Sequence, residues 1–293
     1  MKRPRGGGDS VQEALEQAIG ELVLGSGLDL SDPAVMDAWL SRHGVSDEDA
    51  AALRASNLDR LLVYRRLVQH TLRSTVQLAL PRSIARLGAL FDEYFSSFLA
   101  ERGPRTHYLR DVTEELLDWS APRMRADARI AAYVPDLMRH EALRIEIGAL
   151  PAGRSGQVLG ALELDQGVAF IEASRVVRYE FAVHELVDDD VDQSEPRAEA
   201  TVLFVYRSPE HEVRYLRLSP LAGAILDRVH TRKQTLREAL TGASGELGFA
   251  LDEQVLQGAA QLLADLAERG ALVGATGGSG SAGPSISSGR EST

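Results

Sequence analysis

The chain of 293 residues contains no cysteine, which excludes disulfides, thiolate metal sites and a cysteine nucleophile. It has no run approaching about 18 consecutive apolar residues, so no stretch reads as a membrane-crossing helix. Positive charge is scarce beside negative. The net charge is −11, which disfavours non-specific attraction to nucleic acid or to an anionic membrane surface. Met1, Lys2, Arg3, Pro4 and Arg5 make a basic amino terminus, but no apolar core of a secretion signal follows. A cytoplasmic location is therefore the expectation, and the length allows two domains, each with its own core.

The first half reads as helical throughout. Residues 1–9 read as disordered, after which Val11, Ala14, Leu15, Ala18, Ile19, Leu22 and Val23 recur at helical spacing. A second helix is expected over 33–42. A third begins at Ser46, with Asp47, Glu48 and Asp49 in its first turn, where the helix dipole favours negative charge. A longer helix covers 58–80 and breaks or restarts at Pro81; further helices are expected over 84–102, 109–119 and 133–147. The spacing yields a helical extension over 1–56 and a helical domain over 57–150.

The pattern changes at Pro151, Ala152 and Gly153. Residues 168–171 and 176–183 alternate or run apolar, as strands do. An acidic loop follows between His184 and Ala200, and residues 155–200 carry three Arg against eleven Asp and Glu. Two strands, 200–206 and 212–218, precede a Ser219 N-cap and Pro220 at the first helical position. Three helices follow: Leu221, Ala224, Ile225 and Val229 mark one; Leu236, Ala239, Leu240 and Leu247 mark the next. The last, over 252–269, carries Val255, Leu256, Ala259, Leu262, Leu263 and Leu266 and stops at Gly270. From Gly274 the chain reads as a flexible Gly/Ser-rich tail to residue 293. No internal repeat is visible. The fold class is α+β: an all-helical domain, a small antiparallel sheet, and a winged-helix-like three-helix unit within a domain over 155–273.

Such a unit invites a DNA-binding reading, and its charge opposes it. The last helix offers Asp252, Glu253, Asp265 and Glu268 against Arg269, and residues 201–273 hold eight Arg and Lys against nine Asp and Glu. Groove reading needs cations against phosphate. Arg207, Arg214 and Arg217 keep a DNA-binding regulator as the alternative. A neutral strand-and-helix unit better suits an extended peptide added to a sheet edge. The candidate edge is Val213, Arg214, Tyr215 and Arg217, with Gln254, Gln257 and Gln261 of the last helix alongside. The plainer alternative is that the acidic loop covers this edge.

Other constellations are weaker. The seven histidines read as structural or surface residues; His140 precedes Glu141, but position 144 is Arg, so zinc-binding HExxH spacing is absent. Asp188, Asp189, Asp190 and Asp192 lack the glycine turn and spaced glutamate of a calcium loop. They read as a solvated loop, or more sharply as a dock for a basic surface. Arg123, Arg125 and Arg129 suit either an acidic partner or an ordinary helix surface. Ser219 is better explained as a cap than as a nucleophile. Tyr64, sharing a face with Leu61, Val68 and Leu72, reads as core. No metal ligands, cofactor or catalytic residues are expected.

Two stretches resemble known families. Leu62, Val63, Tyr64, Arg65, Arg66, then Pro81, Leu87, Gly88 and Phe91, then Tyr108 to Asp111 and the run from Tyr133 to Glu141 (YVPDLMRHE) resemble the N-terminal domain of HvfC/BufC-type peptide modification chaperones, a family labelled putative DNA-binding. His140 stands where an apolar residue is expected. Leu218 to Ala222, Ile225, Leu226, Thr235 to Glu238 and the run 262–273 (LLADLAERGALV) resemble the PqqD-like peptide-recognition element of ribosomal-peptide biosynthesis. The turn from His230 to Gln234 lacks the glycine often found there. The resemblance implies a partner protein of multinuclear non-heme iron-dependent oxidases that binds a precursor peptide leader and carries no iron ligands itself. It places partner docking on the helical half, at Tyr64, Arg65, Arg139 and Glu141. A purely structural interaction module is a third reading.

Overall fold

The computed structural model describes residues 7–24, 32–55, 58–152 and 162–276. The chain divides into two compact units, residues 1–146 with 181–197, and residues 147–180 with 198–293.

The first unit is helical. Helix α1 (Gly7–Leu24), α2 (Pro33–Arg42) and α3 (Asp47–Ala55) precede the long α4 (Leu58–Ala79). Helix α1 begins at Gly7, inside the stretch expected to be disordered; residues 1–6 lie outside the described residues. The Asp32 side chain accepts from the Ala34 N–H, and Pro33 follows at the first helical position, so α2 starts where its orphan donors are met. Ala18 and Leu22 of α1 pack with Met36, Trp39 and Leu40 of α2 and Ala50 of α3. The expected break at Pro81 is real: α5 (Pro81–Leu87) restarts there, and Gly88, at φ +53°, separates it from α6 (Ala89–Glu101). Helices α7 (Val112–Ala126) and α8 (Val134–Ala149) complete the unit. Its aromatic core includes Phe98 stacked obliquely on Trp119 at 5.8 Å.

The second unit holds two antiparallel sheets. Strand β1 (Gly167–Phe170) pairs with β5 (Leu272–Thr276); β2 (Ser174–Tyr179), β3 (Thr201–Arg207) and β4 (Val213–Leu218) form a sheet in that order. Two expectations need correction. The strand expected over 176–183 ends at Tyr179, because Tyr179 is opposite Thr201, the first residue of β3. Beyond it the Phe181 N–H donates to Asp136 Oδ2 at 3.3 Å, within the first unit. The tail expected from Gly274 begins later: Gly274, Ala275 and Thr276 pair with Ala169, Val168 and Gly167. Residues 277–293 lie outside the described residues.

Helices α9 (Pro220–Leu226), α10 (Leu236–Leu247) and α11 (Glu253–Glu268) follow β4. Ser219 accepts from the Ala222 N–H to cap α9, and Thr235 with Glu238 forms a reciprocal capping box on α10. Gly223 is required by proximity, since a Cβ there would lie 2.8 Å from Val202 Cγ1. In the turn that lacks glycine, Lys233 takes the left-handed conformation at φ +56°. Leu226, Val229, Ala239, Leu240, Leu263 and Leu266 join Phe204 and Tyr206 of β3 in one core.

The acidic loop belongs to the first unit and is fastened there. Arg82 Nη1 donates to the carbonyls of Leu186 (3.5 Å) and Val187 (3.3 Å), and Arg86 Nη2 to that of Ser194 (3.2 Å). Arg144 pairs with Asp188 at 3.4 Å. Two cations thus hold backbone carbonyls and a third holds a carboxylate, so the loop is not merely solvated.

Candidate functional site

The second unit contains two separate grooves, one at each end of α11. At one end Arg214 and Tyr215 of β4 line a groove of about 420 Å³ with Tyr206, Ser208, Glu268 and Arg269. At the other, Ser219 at the end of β4 and Leu221 and Ile225 of α9 line a groove of about 320 Å³ with Phe249, Val255 and Leu262. The start of β4 therefore lies by the end of α11, whereas the groove at the beginning of α11 is walled by α9 and its cap Ser219. Among the described residues β4 has only β3 as a ladder neighbour, and no second strand pairs with its other edge, the side on which an added strand would pair.

The two ends differ in chemistry. The groove at Ser219 is mainly apolar, with Ser219, Asp252 and Gln254 at its polar side, and Gly258 lies in its wall with open space where a Cβ would point. The groove at Arg214 carries mixed charge. Arg214 is ion-paired with Glu212, and Arg269 Nε donates to Asp265 Oδ2 at 2.8 Å. Hydrogen bonds to Asp265, and then to Tyr206, hold the Arg269 guanidinium firmly protonated, its pKa raised above the usual arginine range. Glu210 is held below the usual carboxylate range by the Ser208 hydroxyl and then by its own N–H.

The candidate peptide residues divide between these surfaces. Arg214 and Tyr215 line the groove at the start of β4, and Gln254 lines the apolar one. Val213 and Arg217 line neither; Arg217 is ion-paired with Glu199. Gln257 and Gln261 are exposed on the outer ridge of α11, between the flanks that the two sides of the helix present. Sequence reasoning missed Phe249, Ile225 and Arg269. The signal for Phe249 was visible, an aromatic in a short link between two helices, whereas Arg269 needed its position relative to Tyr206.

In the first unit, Tyr64 is 52% exposed, beside exposed Val63 and Leu67. This corrects its placement in the core: Leu72 of the expected face is buried, but α4 turns Tyr64 outward. Arg65 is half-buried. Arg139 lies 3.8 Å from Glu114 and 3.7 Å from Glu146. Glu141 is 6% exposed. Its Oε1 accepts from the Arg82 N–H (3.0 Å) and its Oε2 from the Ser83 N–H (2.9 Å) and hydroxyl (2.5 Å). Pro81 has no N–H and Leu80 supplies no side-chain cap, so Glu141 caps α5 from a distant helix. His140 is buried as the apolar residue expected at that position would be. Burial, and then the charge of Arg82, lower its pKa to about 4.

The arginines 123, 125 and 129 are engaged within their own unit. Arg123 lies over the Trp119 ring at 4.2 Å and pairs with Glu101 at 3.1 Å. Arg125 lies 3.9 Å from Asp136. Arg129 bridges Glu93 (2.8 Å) and Asp127 (2.7 Å), and its hydrogen bonds hold both carboxyls below their usual range.

One serine–histidine pair escaped the sequence. Ser174 Oγ lies 2.9 Å from His230 Nε2 and 2.6 Å from the Ile171 carbonyl oxygen. A carbonyl only accepts, so the hydroxyl proton goes to Ile171 and the imidazole donates to Oγ. Ser174 is fully buried. The pair is a structural tie, not a nucleophile and base.

Residues 172–267 match the family model of the HvfC C-terminal domain. The match supports an HvfC-type family and spans β2 through nearly all of α11; Glu268 and Arg269 of the groove at Arg214, and residues 57–150, lie outside it. No curated protein matches the chain. No helix among the described residues is long and apolar enough to cross a membrane.

Proposed function

We propose that this chain is a non-catalytic partner protein that binds the leader of a ribosomally made precursor peptide and presents it to an iron-dependent modifying oxidase. The reading rests on one observation: β4 is an edge strand of its sheet, with one groove beside its start and another beside Ser219, which follows its end. A leader added to β4 gains backbone hydrogen bonds along the strand and places side chains in the two grooves. From Arg214 to Ser219 the strand covers about 17 Å at about 3.3 Å per residue. Because successive side chains of an added strand alternate faces, a leader offers one apolar residue to the Phe249 end and a polar one an even number of positions away, about four or six. The match to the HvfC C-terminal domain supports a partner role. The oxidase is inferred from the resemblance of the helical half, where Tyr64 and Arg139 remain accessible. The cytoplasm is the compartment proposed for this work.

DNA binding is less well supported. The outer ridge of α11 presents Gln257 and Gln261 between Glu253 and Glu268, and phosphate requires cations there.

The test uses Gly258→Trp in the full chain. The site has room for a side chain, and replacing glycine within a helix does not cost helix propensity. A labelled leader from a neighbouring short open reading frame should bind wild type, and the variant should bind about tenfold more weakly with an unchanged melting temperature. Equal binding by both, or retention on duplex DNA with no leader binding, overturns the proposal. Co-purification of the candidate oxidase with tagged wild type tests the second half.

A further inference from the structure

Helix α11 is apolar over more of its circumference than its core contacts require. Ala259, Leu263 and Leu266 are buried, yet Leu256, Ala260, Ala264 and Ala267 form a second stripe at one-turn intervals. With Leu236 and Leu240 of α10, and Leu164 from the segment before β1, this stripe encloses a groove of about 510 Å³ lined by leucine and alanine alone. The groove lies on the other flank of α11 from Gln254 and Gly258.

Its wall is fastened in place. The Leu236 N–H donates to the Gln166 carbonyl (3.0 Å) and the Arg237 N–H to the Leu164 carbonyl (2.8 Å), so the segment before β1 satisfies donors at the start of α10. Arg237 Nε also donates to Asp165 Oδ1 at 2.6 Å. The alanine floor lets another helix approach closely, while no open strand edge is offered within the groove.

We propose that this groove is a second docking surface, which takes an amphipathic helix with leucine-like anchors one turn apart and basic flanks. Charge selects that occupant. Residues 162–166, α10 and α11 together carry Glu163, Asp165, Glu238, Glu246, Glu253, Asp265 and Glu268. Arg237, Arg228 and Arg269 pair with Asp165, Glu246 and Asp265, which leaves Glu163, Glu238, Glu253 and Glu268 in excess of these cations. A second copy would set like charge against like around the groove, whereas lysines or arginines flanking the apolar stripe are attracted. The surface is separate from the leader grooves and does not depend on that assignment.

The experiment measures fluorescence anisotropy of a labelled four-turn peptide, with leucines one turn apart and lysines on both flanks, against the full chain. A peptide with glutamate in place of lysine is the control. The lysine peptide should bind at least about tenfold more tightly than the glutamate peptide. The double substitution Ala260→Gln with Ala264→Gln, both at exposed positions, should weaken it about tenfold, while Gly258→Trp should leave it unchanged. Leu164→Ser, in the opposite wall, is a second route to the same loss. Equal affinity for the two peptides, or indifference to the groove variants, overturns the proposal. So does loss of binding in Gly258→Trp, which would place the peptide in the groove at Ser219. A dimer seen by sedimentation and abolished by the double substitution overturns it as well, because the occupant would then be a second copy.

Discussion

Ion pairs in two regions of this chain are used differently. Around Glu141 the carboxylate and its partner Arg82 are both 6% exposed, and the arginine also holds the carbonyls of the acidic loop. At the groove beside the start of β4 the pair Arg214 and Glu212 is exposed on both sides. An interior charge pair of the first kind fixes one helix start and one loop, and leaves little for a partner to touch. An exposed pair of the second kind exchanges readily with water or a ligand. The run most specific to the family resemblance, ending in Glu141, is therefore chiefly architectural. The surface suited to a peptide is built of plainer residues.

The largest expected effect separates the two regions directly. Glu141→Ala leaves Arg82 buried without its carboxylate and removes the cap on α5, a loss expected to cost about 3–5 kcal/mol. Arg214→Ala breaks an exposed pair and should change stability by less than about 1 kcal/mol. Urea unfolding of both variants measures the contrast. A Glu141→Ala loss no greater than that of Arg214→Ala would break it.

The legibility of the chain follows the same division. Features set by a few neighbouring residues could be read in advance: Asp32 with Pro33, Ser219 with Pro220, and Gly270 after α11 mark helix ends by local hydrogen bonding and allowed φ. Features set by distant partners could not. Strand β2 stops at Tyr179 because β3 begins at Thr201, and β5 exists because β1 offers it an edge. Tyr64 has the spacing of a core residue, but burial of one stripe of α4 does not decide how far the apolar arc extends into solvent. Of the candidate site, the edge strand and Gln254 were legible and Phe249 carried a visible signal; Arg269 enters only through its position beside Tyr206 and the hairpin.

An intermediate effect tests whether the interiors of the two units share a pH weakness despite their different surfaces. His140 in the first and His230 in the second both have pKa values lowered to about 4, chiefly by burial, then by Arg82 and by Lys233 respectively. An unfolded histidine titrates near about 6.5, so between these values the unfolded chain binds protons that the folded chain does not. Stability is complete above the unfolded value and falls as pH drops toward 4. Each histidine should cost about 1–2 kcal/mol between pH 7 and pH 5. His140→Leu should remove its share of that slope and leave the His230 share. An unchanged slope would show that His140 keeps an ordinary pKa.

The smallest expected effect asks whether the frame of the second unit depends on local caps, as the first unit depends on a distant one. Thr235 accepts from the Glu238 N–H at 3.3 Å, and Glu238 Oε2 accepts from the Thr235 N–H at 2.9 Å. Both partners lie within one turn, so removing the hydroxyl exposes its donor to water instead of stranding it in an interior. Thr235→Ala should cost about 1 kcal/mol, several-fold less than Glu141→Ala, although both remove a helix cap. The difference is a matter of burial, not of hydrogen-bond number: an exposed N–H finds water, whereas the amides of Arg82 and Ser83 would have none nearby. Hydrogen exchange at those amides reads the distinction. Loss of protection confined to the start of α10 in Thr235→Ala, against loss reaching the loop over 181–197 in Glu141→Ala, would establish one cap as local and the other as a tie across its unit.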